Sequence, residues 1–241
     1  MLKIENVEVF GWEAAIRGMR NPMNSWDKSD SYWTYIEDAE TGQRAKFEFF
    51  VGENDLQLMK KLSKAGNDHA KYLRMLNVTL CIDAPLYFWK EADTYGVGVV
   101  KNSCSTMHKI HAKEFTLDDF SHEHLLYDWV READGASSGV TQWGLECFVA
   151  ADVLELTIDM LNQYRELFIE TKDKKYWWQM IQLLPTSYNQ KRTVQLNYQV
   201  LKNMYHSRRH HKLDCWHTLC DWMEELPYFM ELCGGGHEES M

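Results

Sequence analysis

Positive charge is in short supply in this chain. Its 26 lysines and arginines stand against 36 aspartates and glutamates, a formal net charge of −10 over 241 residues. That balance lacks the basic surface that sequence-independent binding to a nucleic-acid polymer requires. Long apolar runs are missing too, and none approaches the length of a membrane span. Met1 to Phe10 alternates charged with apolar residues instead of building the apolar stretch of a secretory leader, so the expectation is a cytoplasmic protein. The six cysteines, Cys81, Cys104, Cys147, Cys215, Cys220 and Cys233, are scattered, which fits reduced thiols better than a disulfide framework. Gly96-Val97-Gly98 lacks the later glycine and the lysine of a phosphate-cradling loop. No serine or cysteine hydrolase signature, internal repeat or low-complexity linker is readable.

What is present supports a substantial core: 45% of the residues are hydrophobic and 13% aromatic. The pattern predicts one α+β domain over residues 1–233, with a mixed sheet flanked by helices and a helix-rich C-terminal half, followed by a flexible tail at 234–241. Leu2, Ile4, Val7 and Val9 predict an N-terminal strand and Trp12 to Arg20 a short helix. Residues 21–47 read as loop with a hairpin ending in Lys46 to Phe50, turning at Thr41-Gly42. Asn54 or Asp55 is expected to cap a helix that ends near Gly66. Val78, Leu80 and Ile82 alternate as in a strand, and Ala84-Pro85 opens a helix beyond it. Further helices are expected over 121–133, 143–171, 174–184, 187–207 and 213–225, with Pro185 and Pro227 as stops.

One stretch carries more than packing. Taken as a single helix, Val194 to Arg208 places Val194, Tyr198, Val200, Leu201, Met204 and Tyr205 in one wide arc, and Asn197 and Arg208 fall inside it. A buried amide and guanidinium need polar partners. A bound ligand is one such partner; backbone for Asn197 and the helix C-terminal dipole for Arg208 are the other. Lys191, Arg192, Lys202, Arg208, Arg209 and Lys212 make this region locally cationic, either as a solvated helix face or as an attraction for a nucleotide. His206, His210, His211, Cys215, His217 and Cys220 crowd together but lack zinc-site spacing, so no metal is expected.

Three landmarks in order resemble the flavin-dependent thymidylate synthase family. They are the strand-to-helix junction Leu76 to Glu91 containing Ala84-Pro85, the long helix with Tyr164 followed by Leu183-Leu184-Pro185, and the trio Asn197, Asn203 and Arg208 downstream. The resemblance covers roughly residues 53 to 225. It implies a homotetramer that binds FAD and dUMP between subunits and transfers a methylene to the uracil ring. It assigns Asn197 and Asn203 to the flavin, Arg208 to the pyrimidine, where it would also act in catalysis, and Ser105 to the nucleotide phosphate. The chain departs from the family where the Arg-His-Arg signature would stand, carrying Thr94-Tyr95-Gly96. It departs again at Ser103, Met107, Ile181 or Gln182, Gln199 and Lys212, with Lys90, Lys101, Arg209 and Lys212 as replacement cations. The resemblance implies an FAD- and uracil-nucleotide-binding protein, active as a flavin-dependent methyltransferase in dTMP or modified-pyrimidine synthesis. The alternative is a non-catalytic relative that serves as a binding or assembly module.

Overall fold

The structure, a computed structural model, describes residues 2–37, 44–127 and 149–235. In chain order the elements begin with β1 (Lys3–Phe10), α1 (Trp12–Arg20), β2 (Tyr32–Glu37), β3 (Arg44–Phe50) and α2 (Glu53–Lys64). Next come β4 (Asn77–Pro85), α3 (Leu86–Ala92), β5 (Val100–Ser103), α4 (Thr106–Lys109), α5 (Ala150–Thr171) and α6 (Lys174–Leu183). The chain continues through β6 (Asn189–Asn197), α7 (Tyr198–Arg208), α8 (Asp214–Glu224) and α9 (Phe229–Cys233). The fold is α+β, as expected: a four-stranded sheet of order β1-β4-β6-β5 accompanied by helices, with β2 and β3 forming a separate antiparallel ribbon. Two compact units divide it, one of Leu2–Ile82, Asp93–Asn102 and Thr193 onward, the other of Asp83–Ala92 and Ser103–Arg192.

In the first unit, Val78, Leu80 and Ile82 of β4 are buried between half-exposed neighbours, the period of two that a strand with one core-facing side requires. Helix α1 packs on α2, and α7 packs on α8 and α9. Trp12, Tyr198 and Phe229 meet edge to face, with Tyr198 lying 5.8 Å from each of the other two rings. Beneath α1, Arg20 and Asp55 form a buried ion pair, Nε donating to Oδ1 at 2.6 Å. Asp30, not Asn54 or Asp55, caps α2: its carboxylate accepts from the Asn54 and Asp55 amides at 2.9 and 3.1 Å. A local reading could not find that cap, because it comes from more than twenty residues upstream. Helix α9 was not anticipated either; Tyr228, at φ +57°, restarts the chain after Pro227 and seats Phe229, Leu232 and Cys233 in the core.

Gly11 fixes the entry to α1 with φ +97°, and a Cβ there would sit 2.1 Å from the Met75 carbonyl oxygen. Gly11→Ala is therefore expected to lower stability by about 1–3 kcal/mol, read as a lower denaturant midpoint.

The second unit has its own core. Ile110, Phe115, Phe120, Leu154, Ile158, Leu161 and Met180 form one buried cluster beneath α5 and α6. The isoleucine and leucines of α5 recur at three and four, as an amphipathic helix requires, and each buried side chain contributes about 1.5–3 kcal/mol. Asp152 accepts from the Val149 amide at the start of α5, and Asp173 accepts from the Lys175 amide at the start of α6.

Several expected boundaries move. Residues 187–207 are not one helix: β6 runs through Asn197 and α7 begins at Tyr198. The spacing of Val194, Tyr198 and Leu201 imitates a helix, but Val194 and Leu196 are buried on either side of exposed Gln195, the period of a strand. The expected helix at 121–133 is absent over 121–127, where the Ser121 amide instead donates to the Ser187 carbonyl at 2.8 Å. Its remainder, residues 143–148 before α5, the turn at Thr41-Gly42 and most of the expected tail lie outside the described residues. The expected helices at Trp12–Arg20, 174–184 and 213–225 are present within a residue of their predicted ends.

Candidate functional site

Helix α7 and its N-cap carry three of the four residues that the family resemblance singles out, and each meets a different surrounding. Asn197 precedes the helix instead of lying on its buried arc: its side-chain oxygen accepts from the Val200 amide at 3.1 Å, an N-cap. The backbone partner weighed from sequence is the one the structure supplies. Asn203 is exposed nearly two turns further along, and its side-chain oxygen accepts from buried Gln199 at 3.1 Å. The side-chain amino groups of both asparagines make no hydrogen bond to the described residues.

Arg208 ends the helix in an aromatic bracket. Its guanidinium lies 4.9 Å over the Trp216 ring and 5.7 Å over the Tyr95 ring, and its Nε donates to the Tyr95 hydroxyl at 3.1 Å. Tyr95 and Trp216 meet edge to face at 6.0 Å. Contact with two adjoining rings, together with the Nε hydrogen bond, holds the guanidinium in one orientation, which an exposed helix terminus would not do. Tyr95, from the segment beyond α3, thus holds Arg208 at the end of α7. Sequence reasoning missed this pairing because the two residues are separated by 113 positions and Trp216 read as core.

The replacement cations differ among themselves. Lys101 donates to Asp93 at 3.0 Å and Arg209 pairs with Asp221 and Glu224, whereas Lys90 and Lys212 are exposed.

Ser105 lies in the second unit. Its hydroxyl accepts from the His108 amide at 3.1 Å and so caps the short helix α4. It also lines a cavity of about 280 Å³ with Thr106, Lys109, Tyr188, Asn189 and Gln190 among the walls. Gln190 is buried and frames the cavity, donating to the Cys104 carbonyl and accepting from Arg192 Nε, each at 2.9 Å. Arg192 in turn lies 4.3 Å over the Trp89 ring, and the Trp89 indole N–H donates to the Gln190 carbonyl at 2.8 Å. Burial, with Asp119 and Asp83 adding to it, raises the Tyr188 hydroxyl above its usual range, keeping it a neutral donor.

Thiol chemistry should follow exposure. Cys104 is exposed beside this cavity, whereas burial pushes Cys220 up to about 11 and Cys233 up to about 12. An aromatic disulfide reagent at pH 8 is expected to label Cys104 in the native protein, with Cys220 and Cys233 reacting only after denaturant is added, as mapped by peptide mass spectrometry. Among the described residues no cluster of His, Cys, Asp or Glu could hold a metal ion, and no helix is long and apolar enough to cross a membrane.

No protein-family model matches the chain, and no curated protein sequence matches it. Solved structures do. Thymidylate Synthase X (ThyX) from Helicobacter pylori, in a structure with FAD and dUMP, aligns with a TM-score of 0.60 at 16% identity over 97% of each chain. A UMP/dUMP methylase, PolB from Streptomyces cacaoi, bound with 5-Br dUMP, aligns with a TM-score of 0.55 at 15% identity, over 93% of this chain and 88% of that one. The chain has the ThyX fold. At such identities it is the architecture that is shared, and the side chains of this chain have to be read on their own terms.

Proposed function

We propose that this chain is a divergent flavin-dependent thymidylate synthase-like protein that binds FAD and a uracil nucleotide. In this reading Asn197 and Asn203 meet the flavin, Arg208 meets the pyrimidine and Ser105 meets the phosphate, with the ligands shared between copies of an oligomer. The observation that carries the reading is the guanidinium of Arg208, stacked over the buried Trp216 ring on a fold whose solved relatives were crystallised with FAD and dUMP. The side-chain amino groups of Asn197 and Asn203 suit the carbonyl edge of an isoalloxazine. When bound and reduced, the flavin would supply a hydride. Arg208 would polarise a uracil carbonyl and hold the charge that develops on it, and Ser105 would orient the nucleotide through its hydroxyl.

The second reading, a binding module without turnover, is favoured by one feature. Tyr95 is neutral where the family is cationic, which removes charge-assisted contacts that a phosphate or flavin would otherwise receive.

Titration of the purified protein with FAD and dUMP, followed by flavin absorbance, tests the proposal. A shifted flavin spectrum and micromolar binding are expected. Arg208→Ala should weaken dUMP binding about 10- to 100-fold while FAD binding persists, the scale of one lost hydrogen bond to a charged group. A colourless protein whose added flavin never shifts at high ligand concentration would remove the reading. Bound flavin without methylation of dUMP would select the module.

A further inference from the structure

The segment between α3 and β5 lies along α7 from one end to the other. At the C-terminal end, Tyr95 takes the Arg208 Nε hydrogen bond and lies beneath its guanidinium. At the N-terminal end, a Cβ on Gly98 would fall 3.2 Å from the Asn197 amide nitrogen and 3.4 Å from the Val200 side chain. Helix α7 has 11 residues and is about 16 Å long. Three residues of extended chain reach about 10 Å, and the Tyr95 and Arg208 side chains close the rest.

The segment is built as a strap. Its base is stapled by Lys101, which donates to Asp93 at 3.0 Å and to the Tyr95 carbonyl at 3.4 Å. Its tip, Val97, is 93% exposed, so the tip buries nothing of its own. Gly96, with open space around it, and Gly98, at φ +75°, flank that tip as two points of backbone freedom. The contacts between the strap and the helices fall on Arg208, on Trp216 and beside Asn197, and Arg208 and Asn197 are also two of the proposed ligand-binding residues.

We propose that Tyr95–Gly98 is an intramolecular occupant of the ligand-facing surface of α7, and that FAD or dUMP binds by displacing it. This rests on the reading under Proposed function and adds its regulation. In the closed state the Tyr95 hydroxyl takes the hydrogen bond that Arg208 would give to a uracil carbonyl, and the Tyr95 and Trp216 rings present planar faces to the guanidinium. Ligand affinity is then reduced by the fraction of molecules in which the strap is closed.

Two measurements on the full chain test the strap. Amide hydrogen exchange over residues 95–100 is expected to speed up when FAD and dUMP are added, the reverse of the protection a simple neighbouring ligand gives. Tyr95→Ala is expected to bind dUMP about tenfold more tightly than the unaltered chain. Tyr95→Phe, which keeps the ring and loses the hydroxyl, should gain less and serves as the comparison if the alanine variant fails to fold. Binding accompanied by protection of 95–100, or with unchanged or weaker affinity in both variants, overturns the strap while leaving the function standing. Absence of FAD and dUMP binding in the unaltered chain and in both variants overturns the function, and the strap with it, because opening then uncovers no site.

Discussion

Replacing Asp55 with alanine is expected to lower the unfolding free energy by about 3–5 kcal/mol, the scale of a buried ion pair that loses one partner. Asp55 is fully buried, and its carboxylate is saturated with donors. Oδ1 accepts from Arg20, and Oδ2 accepts from the hydroxyls of Ser29 and Ser31 at 2.6 and 2.7 Å and from the amides of Asp30 and Ser31, both at 3.2 Å. Without it, Arg20 keeps the Ser25 and Lys28 carbonyls but carries an uncompensated charge at 4% exposure. Asp55→Asn, which preserves shape, should recover only part of the loss. Burial by itself would raise the carboxyl, but the serine hydroxyls and Arg20 outweigh it and hold Asp55 below its usual range. A carboxylate lowered on folding stabilises above its unfolded value of about 3.9, and that stability is lost as pH falls through the folded value. Urea midpoints should therefore be flat near neutrality and fall below about pH 4 in the unaltered chain, and that acid-dependent fall should shrink in Asp55→Ala.

Trp216→Ala is expected to destabilise by about 3–5 kcal/mol, the range for removing a large aromatic from a core. Trp216 is fully buried in α8, so little of the space it leaves can be refilled by surface side chains. The same change takes away the platform 4.9 Å beneath the Arg208 guanidinium. Trp216→Phe should restore most of the stability but only part of the stacking, because the smaller ring offers less face. Thermal unfolding and dUMP titration of the two variants separate the packing role from the positioning role. If stability and affinity return together in the phenylalanine variant, Trp216 acts on Arg208 through packing alone.

The parts of this fold that sequence made legible are those governed by local periodicity. Alternation in β4 and the three-and-four spacing in α5, α6 and α8 each arise from one face meeting one core, and the structure keeps them. The failure at 187–207 has the opposite origin. A strand feeding directly into a helix at Asn197 leaves no glycine or proline between them, and the tyrosine and leucine that follow fit either period. What distinguishes the two is a long-range contact, the Tyr198 amide donating to the Leu76 carbonyl at 3.0 Å, which no local window contains. The candidate site divides in the same way. The types and order of Asn197, Asn203, Arg208 and Ser105 could be read from the chain, while the bracket of Tyr95 and Trp216 depends on side chains brought from positions 113 residues apart and eight residues apart along the sequence.

The last helix bears on how the molecule is made. Within the first unit, α9 is pinned by Ser63 donating to the Leu232 carbonyl, by His206 against the Cys233 carbonyl at 2.8 Å, and by the Tyr198 hydroxyl donating to the Pro227 carbonyl at 2.8 Å. That unit gathers three separated stretches of chain, and α9 follows its other elements in sequence. A nascent polypeptide must therefore carry α1, α2 and β4 unclosed until α9 has been made, so chaperone demand should fall on those elements until Cys233 clears the ribosome.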